Sequence, residues 1–215
     1  MLALNHLVGF NASRRPAVID YRASSNDTVN RSVYTFTAQD IGAAQTDRIV
    51  AVAAYATGGG AISCTIGGIA ATKTADLFDA GIFWAIVPTG TTASIVITLA
   101  SGTAHNCQIG VWRIVDYINP LPFHSLASFG SGSSRTTDSI AVNIPSGGVA
   151  IYFGNRLGTT TVIWSGATER YDVALETSDC SSAADFTANI SEAPHTATAT
   201  FASATFGGWC GLSWR

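Results

Sequence analysis

Cysteine and histidine are the residue types in this chain best suited to redox or metal chemistry, and neither is spaced for it. The four cysteines include no C-x-x-C pair, so neither a zinc knuckle nor a thioredoxin-type redox site is encoded. The four histidines stand far apart, without an H-x-H or H-E-x-x-H spacing. We therefore expect no metal site and no cofactor. The histidines are His6, His105, His124 and His195.

The cysteines divide into three with apolar surroundings and one without. Cys64 alternates with Ile62 and Ile66, and Cys107 and Cys210 have comparable apolar neighbours. A free cysteine in that setting behaves as a small buried hydrophobe. Cys180 lies instead in a polar Ser-Asp-Cys-Ser-Ser run, which predicts an exposed thiol. It is either a surface thiol without a function or one of the two cysteines of an intersubunit disulfide that forms in an oxidising medium.

Glycine-rich and serine-rich loops offer no better site. The run Gly-Ser-Gly-Ser-Ser at 130–134 does not fit the G-x-S-x-G nucleophile elbow, and no helix pattern follows it. The three glycines at 58–60 lack the Lys-Ser/Thr ending of a phosphate-binding loop. Both runs are therefore interpreted as turns or loops.

Two carboxylate pairs are candidates for glycoside hydrolysis, which needs two carboxyl groups about 5–10 Å apart. Glu169 and Asp172 lie three positions apart on a predicted strand, which places them on opposite faces. Asp76 and Asp79 fall in a predicted turn, where aspartate is favoured for its bonds to the local backbone. We therefore predict no catalytic residue and a protein that is not an enzyme.

The tryptophans are the remaining candidates for a binding surface. Flat indole rings can stack on the apolar faces of sugars, so they could line a glycan site. All five stand within predicted strands beside apolar neighbours, which favours core or interface positions for most of them. They are Trp84, Trp112, Trp164, Trp209 and Trp214.

The charge pattern excludes two classes of partner. The net charge is −3, and the eleven basic residues are scattered apart from Arg14 and Arg15. Nucleic-acid binding needs clustered Lys and Arg, and so does binding to anionic lipid. No apolar run approaches the roughly 18–20 residues of a membrane helix. The first ten residues lack a basic start and are interrupted by Asn5 and His6, so we expect synthesis in a bacterial host cytoplasm.

Strand patterns run along almost the whole chain, and they predict an all-β, antiparallel, jelly-roll-like sandwich. Residues 93–99 place Ile95, Ile97 and Leu99 on one face and a mixed set on the other, and residues 196–201 alternate between threonine and an apolar residue. Residues 48–55 are apolar after Arg48, as expected of a central strand covered on both faces. Gly67 and Gly68 separate two short runs and predict a hairpin. Further strands are expected near 17–21, 33–37, 82–87, 107–115, 139–143, 149–153, 161–164 and 209–214.

Short phrases recur at a constant distance, which suggests an internal duplication. Trp112-Arg113 and Trp214-Arg215 stand 102 residues apart (214 − 112). The phrases at 99–101 and 201–203 show the same spacing. We therefore expect two related halves, 34–118 and 135–215, that face each other in one sandwich. The polar segment 119–134 is expected to be the loop between them, and residues 1–33 an N-terminal arm or docking segment.

The phrases in residues 34–215 resemble small β-rich proteins encoded by tailed phages and prophages. The resemblance implies a virion component of the decoration, collar or tail-associated type, and it carries no catalytic residue. It rests on TFTAQDIGAA at 35–44, DRIVAV at 47–52, TIGGIAAT at 65–72, AIVPTGTT at 85–92, CQIGVW at 107–112, NIPSGGVAI at 143–151 and WSGATERYD at 164–172.

Two functions remain open from the sequence. The first is a structural subunit of the phage particle that associates with copies of itself and with other virion proteins. The low proportion of charged residues, 12%, agrees with buried subunit contacts. The alternative is a module that binds a glycan of the host surface, which requires exposed aromatic side chains. Both place the protein in the virion.

Overall fold

The fold was taken from a computed structural model that describes residues 15–58, 60–129, 135–158, 161–175 and 179–215. Every regular element in these ranges is a β-strand, and all strand pairs are antiparallel, as predicted. None of these residues belongs to a helix capable of spanning a membrane. The strands are β1 Val18–Asp27, β2 Val33–Asp40, β3 Ile49–Ala56, β4 Ile62–Ile66, β5 Ile69–Ala70, β6 Thr72–Asp76, β7 Ala80–Ile86, β8 Thr92–Leu99, β9 Cys107–Val115, β10 His124–Phe129, β11 Arg135–Ile144, β12 Val149–Leu157, β13 Val162–Ser165, β14 Thr168–Leu175, β15 Asp179–Thr187, β16 Glu192–Thr205 and β17 Gly207–Trp214.

The first nine strands form a complete sandwich. The larger sheet has the order β1-β9-β3-β7-β6, and the smaller sheet has the order β2-β8-β4-β5. Strands far apart in sequence are neighbours in both sheets. The two sheets enclose an apolar core that includes Val52, Ile97 and Val111. Strand β8 alternates between buried and partly exposed residues because only one of its faces meets this core.

The second half repeats this arrangement. Its larger sheet has the order β10-β17-β12-β15-β14, and its smaller sheet has the order β11-β16-β13. Each of these eight strands corresponds in order to a strand of the first half, and only β5 has no counterpart. A second core, which includes Tyr152, Trp164 and Trp209, lies between the two sheets. The repeated strand order agrees with the duplication suggested by the sequence.

The two large sheets pack against each other, and we call the contact between them the seam. A third apolar core fills the seam, with Trp112 of β9 and Trp214 of β17 both fully buried. Strand β3 lies between β9 and β7 and has one face in the first core and the other in the seam, so all eight of its residues are buried. The expectation of a central strand at 48–55 is confirmed.

The arrangement of the two halves and two of the expected boundaries differ from the sequence-based expectation. Each half is a sandwich of its own, so the halves do not form the two sheets of a single sandwich. Residues 18–27 are not part of a separate arm, because β1 pairs with β9 at the edge of the first large sheet. The expected loop at 119–134 contains β10, which pairs with β17. Residues 1–14 and 130–134 lie outside the described ranges.

The hairpin predicted at Gly67 and Gly68 is present in the structure. Gly67 and Gly68 have φ values of +59° and +80°, the left-handed region that glycine enters without strain. They connect β4 to β5, whose ladder pairs Ile66 with Ile69.

A buried arginine fixes the loops at one end of the first sandwich. Arg48 precedes β3, and its guanidinium is inaccessible to solvent. Its Nε donates to the carbonyl of Val87 at 2.8 Å, and its Nη2 donates to that of Thr89 at 2.8 Å. Its Nη1 donates to the carbonyls of Gly42 at 2.7 Å and Gly90 at 3.0 Å. Four backbone acceptors therefore depend on one side chain.

Candidate functional site

The structure corrects the expected exposure of Cys180. Its side chain is only 1% exposed and lies in the core of the second sandwich, as Cys64, Cys107 and Cys210 lie in theirs or in the seam. Burial raises the pKa of the Cys180 thiol to about 11. The polar run was misleading because β15 is covered on both faces, and its serines are buried too. The sulfur is therefore not presented for an intersubunit disulfide.

The histidines remain dispersed in the fold. His124 Nδ1 accepts a bond from the amide of Asn143 at 3.4 Å, and His195 stacks on Phe186 with a ring separation of 3.7 Å. His105 is exposed, and His6 lies outside the described ranges. Within the part of the chain that the structure describes, no three His, Cys, Asp or Glu side chains come together as metal ligands.

One member of each carboxylate pair, Asp76 and Asp172, bonds to the nearby backbone. Asp76 accepts a bond from the amide of Phe78 at 2.8 Å, as expected of a turn aspartate, and it forms an ion pair with Lys73. Asp172 accepts from the amide of Val162 at 2.7 Å. A β-bulge between Glu169 and Tyr171 shifts the register of β14, so the simple alternation assumed for Glu169 and Asp172 does not hold.

The tryptophans are buried, so the interpretation of these residues as core is confirmed. None of the five is more than 8% exposed. The indole of Trp112 crosses the seam and donates to Asp185 Oδ2 at 2.9 Å, and the indole of Trp164 donates to Ser182 Oγ at 2.7 Å. Their rings are therefore unavailable for stacking on a sugar.

A cleft of about 290 Å³ opens at one end of the seam. It is formed where β3 and the β6–β7 turn of the first half meet the end of β12 and the start of β17 in the second half. The residues that line it are Tyr55, Asp79, Asn155, Arg156, Leu157, Phe206, Gly207 and Gly208. We call this site the seam cleft.

The polar side of the seam cleft spans both halves. Tyr55 Oη donates to Asp179 Oδ1 at 3.2 Å, and burial raises the pKa of the tyrosine. Burial also raises the pKa of Asp79 to about 6, a shift that Lys73 opposes. Asn155 Oδ1 is buried and accepts no hydrogen bond within the described structure. The cleft thus holds a carboxyl group with a pKa of about 6 and an amide oxygen that accepts no hydrogen bond within the described structure.

Two glycines at the start of β17 keep the cleft open. A Cβ atom on Gly207 would lie 2.4 Å from the backbone oxygen of Asn155, which is closer than any real contact. A Cβ atom on Gly208 would lie 3.1 Å from Asn155 Oδ1. Both positions therefore favour glycine because β12 and β17 approach closely there.

The outer wall of the seam cleft is apolar. Phe206 is 43% exposed and Leu157 is about half exposed, and the amide of Leu157 donates to the carbonyl of Phe206 at 2.9 Å. Among the described residues that line the cleft, Asp79 is the only carboxylate, and none is a serine, cysteine or histidine. The arrangement can hold a small polar ligand with one apolar face, but it lacks a paired nucleophile and base.

Sequence reasoning missed most of this site. Asp79 was interpreted only as a turn residue, and Tyr55, Asn155, Arg156 and Phe206 were not singled out. A weak signal exists, since Arg156 is a charged residue at the end of an apolar strand and Gly207-Gly208 begins another. Neither signal indicates that positions about a hundred residues apart meet across the seam.

Comparisons with known proteins assign no family. No family model matches the chain, and no curated protein matches it. Among the solved structures that match, the three described next show only a distant likeness, with TM-scores below 0.5. The conserved protein of unknown function PA5104 from Pseudomonas aeruginosa PAO1 is 11% identical, with a TM-score of 0.32, and the match covers 93% of this chain and 80% of that protein. The PBSX exported protein XepA is 12% identical, with a TM-score of 0.26 and coverages of 92% and 86%. An IolB-like protein from Salmonella typhimurium LT2 is 8% identical, with a TM-score of 0.31 and coverages of 95% and 86%.

The second outward-facing feature is the edge strand β10. It pairs with β17 over six uninterrupted positions, from His124 to Phe129, and no described strand pairs with its other side. Residues 125–128 are exposed, so both faces of the strand meet solvent. Three exposed apolar side chains, those of Ile118, Leu121 and Phe123, precede it.

The other three edges of the large sheets are protected against pairing. Strands β1, β6 and β14 each carry acidic and basic residues and each contain a bulge. Charges and bulges are the features by which natural proteins prevent edge-to-edge association. Strand β10, with the sequence HSLASF, has no Asp, Glu, Lys or Arg and no bulge.

Proposed function

We propose that this protein is a non-enzymatic structural subunit of a tailed phage particle, which associates with a second copy of itself and docks on other virion proteins. The observation that carries the self-association is the unprotected edge of β10. The assignment to a phage particle is supported by the resemblance in residues 34–215.

Pairing of β10 with β10 of a second copy is compatible with the uninterrupted edge of this strand. Antiparallel pairing about a two-fold axis brings the same surface of each copy together, the commonest arrangement in homodimers. It joins the two five-stranded sheets into one continuous sheet and provides partners for the outer backbone groups of β10. Because β10 has no formal charge, the two copies meet without like-charge repulsion.

The apolar segment before β10 extends the same surface. Phe123 is 58% exposed, and Ile118 and Leu121 are also largely exposed. Large apolar side chains clustered on a surface mark interaction sites. Burying them adds a hydrophobic contribution to the backbone pairing, at about 25 cal/mol per Å² of apolar area.

A charge placed on β10 tests this association. We expect the wild-type protein to sediment as a dimer at micromolar concentration, and the Leu126→Lys variant to sediment as a monomer. Lysine on an edge strand blocks pairing because the charge must otherwise be buried. The matched control is Ser24→Lys on β1, the corresponding edge of the first half, which should remain a dimer. A wild-type monomer, or equal behaviour of the two variants, would contradict the proposal.

The place of the protein in a particle needs a separate experiment. Mass spectrometry of purified phage particles should detect the chain in stoichiometric amounts, and a cryo-EM map should show density that fits the double sandwich. Its absence from particles that otherwise assemble would contradict the virion assignment while leaving the dimer intact.

A further inference from the structure

The seam cleft has the size and chemistry of a site for one small polar ligand. Its volume of about 290 Å³ lies at the lower end of the range for small-molecule pockets, which begins at about 300 Å³. A single six-membered ring fits such a space, whereas a longer chain would extend past Phe206 into solvent.

We propose that the seam cleft binds one neutral, polyhydroxylated ring, such as the terminal sugar of a glycan. The exposed ring of Phe206 offers an apolar face for the C–H groups of the sugar. Asp79 accepts bonds from neighbouring hydroxyl groups, and Asn155 Oδ1 accepts from another. Leu157 closes the apolar side of the site.

The buried amide oxygen of Asn155 is the strongest indication of a ligand. A buried acceptor without a hydrogen bond carries a desolvation cost, so a natural structure seldom leaves one without a reason. A ligand hydroxyl entering the cleft would remove that cost. Gly208 keeps the approach to this oxygen clear, because a Cβ atom there would lie 3.1 Å from it.

The balance of charge favours a neutral ligand over an ion. The guanidinium of Arg156 lies over the ring of Phe201, 4.9 Å from its centroid, and Phe201 belongs to the core of the second sandwich. The charge of Asp179 adds to that of Asp79, so an anionic ligand would be repelled. A metal cation would find a single carboxylate among the described lining residues.

Ionisation of Asp79 makes the expected binding dependent on pH. Lys73 and Asp179 act on this carboxyl with opposite signs, while Tyr55 and Arg156 share the cleft with it. Above pH 6 the ionised group accepts hydroxyl hydrogen bonds with both oxygens, and charge-assisted bonds are the stronger kind. Affinity should therefore fall as the pH is lowered from 7.5 to 5, and the Asp79→Asn variant should lose this dependence.

Saturation-transfer NMR with methyl glycosides of glucose, galactose, mannose, rhamnose and N-acetylglucosamine provides the test, followed by calorimetry on the strongest binder. We expect millimolar binding of at least one sugar, weakened about fivefold by Phe206→Ala and about tenfold by Asp79→Asn, or roughly 1 and 1.4 kcal/mol. The control is Ile190→Ala, which truncates a side chain that is 69% exposed and not part of the cleft, and it should leave binding unchanged.

Three outcomes would overturn the proposal. They are no binding by any glycoside at millimolar concentration, binding that Phe206→Ala leaves intact, and tighter binding of acetate or inorganic phosphate than of any sugar. Thermal unfolding of each variant separates loss of the site from loss of the fold. The sedimentation experiment on β10 uses different side chains, so either proposal can fail while the other stands.

Discussion

At the scale of single residues, the ionisable groups buried in this protein have opposite effects on its stability. Arg48 is well compensated, because four of its five N–H groups donate to carbonyl oxygens. Asp79 is not compensated in this way, and burial raises the pKa of its carboxyl. A group that lowers stability at neutral pH and lines a cleft is typical of a functional site.

Removal of the Arg48 guanidinium should strongly destabilise the first sandwich. We expect Arg48→Met to lower the free energy of unfolding by about 3–5 kcal/mol, because four backbone acceptors lose their donor. Urea denaturation measures the change. The control is Arg31→Met, which removes an exposed ion pair with Asp27 and should cost less than about 1 kcal/mol. Equal effects would show that the bonds of Arg48 contribute little.

The Asp79 carboxyl should lower stability at high pH. Its pKa is raised from 3.8 to about 6, so the folded protein binds the proton more tightly than the unfolded chain. Stability therefore falls as the pH rises through this interval and stays lower above it. We expect Asp79→Asn to gain on the order of 1 kcal/mol over the wild type at pH 8 and nothing at pH 4, measured by urea denaturation.

Asp76 provides a control of opposite sign. Burial acts against the shift, but Lys73 and the amide of Phe78 together hold the pKa of Asp76 below its ordinary value. Ionised Asp76 therefore stabilises the fold above that value, and this contribution disappears as the pH falls through the lowered pKa. Asp76→Asn should be less stable than the wild type at pH 8. A gain in both variants would contradict the assignment.

At the scale of strands and turns, backbone geometry determines how much a substitution at Gly68 in the β4–β5 hairpin lowers the free energy of unfolding. A Cβ atom on Gly68 would meet no other atom within 4 Å, so the penalty for a side chain comes only from its φ of +80°. We expect Gly68→Ala to lower the free energy of unfolding by about 1 kcal/mol and Gly68→Asn by clearly less, because asparagine tolerates the left-handed region. Equal costs in thermal unfolding would refute this account.

Strands with an alternating or unbroken apolar pattern were predictable from the sequence, and strands whose burial does not follow their polarity were not. Alternation indicated β8, and an unbroken apolar run indicated β3. Strand β15 was missed because its polar sequence, Asp-Cys-Ser-Ser, is buried on both sides. Strand β10 was missed for the opposite reason, since residues 125–128 are exposed on both faces and no pattern is imposed on them.

The seam cleft was beyond prediction for a related reason. Tyr55 of the first half meets Asn155 and Phe206 of the second half only through the packing of one large sheet on the other, and the sequence carries no signal of that contact. The duplication itself was detectable, because Trp112 and Trp214 occupy equivalent buried positions in the seam. The arrangement of the halves was not, because alternation predicts a buried face without specifying which sheet covers it.

At the scale of the whole molecule, the seam joins the halves through polar contacts as well as apolar ones. Asp185 of the second half accepts a bond from Trp112 of the first half at 2.9 Å. It also accepts two bonds from Arg170, both at 2.7 Å. Close by, Tyr171 packs on Gly110, where an added Cβ atom would lie 2.3 Å from the tyrosine ring. The two sandwiches should therefore unfold together.

Loss of the Asp185 carboxylate should weaken the seam. We expect Asp185→Ala to cost about 3–5 kcal/mol, because it leaves the guanidinium of Arg170 and the buried indole of Trp112 without their acceptor. The measurement is calorimetric unfolding, with a single transition expected for both proteins. Asp20→Ala removes a more exposed ion pair with Arg113 and should cost about 1 kcal/mol or less. Two separate transitions in the wild type would contradict the coupling of the halves.

The seam also has a consequence for either half produced alone. An isolated second half would expose the face of its large sheet that carries Ile151, Phe153 and Trp214, all buried in the whole protein. Because exposed apolar faces of this kind drive association, an isolated half should pair with another half rather than remain a monomer.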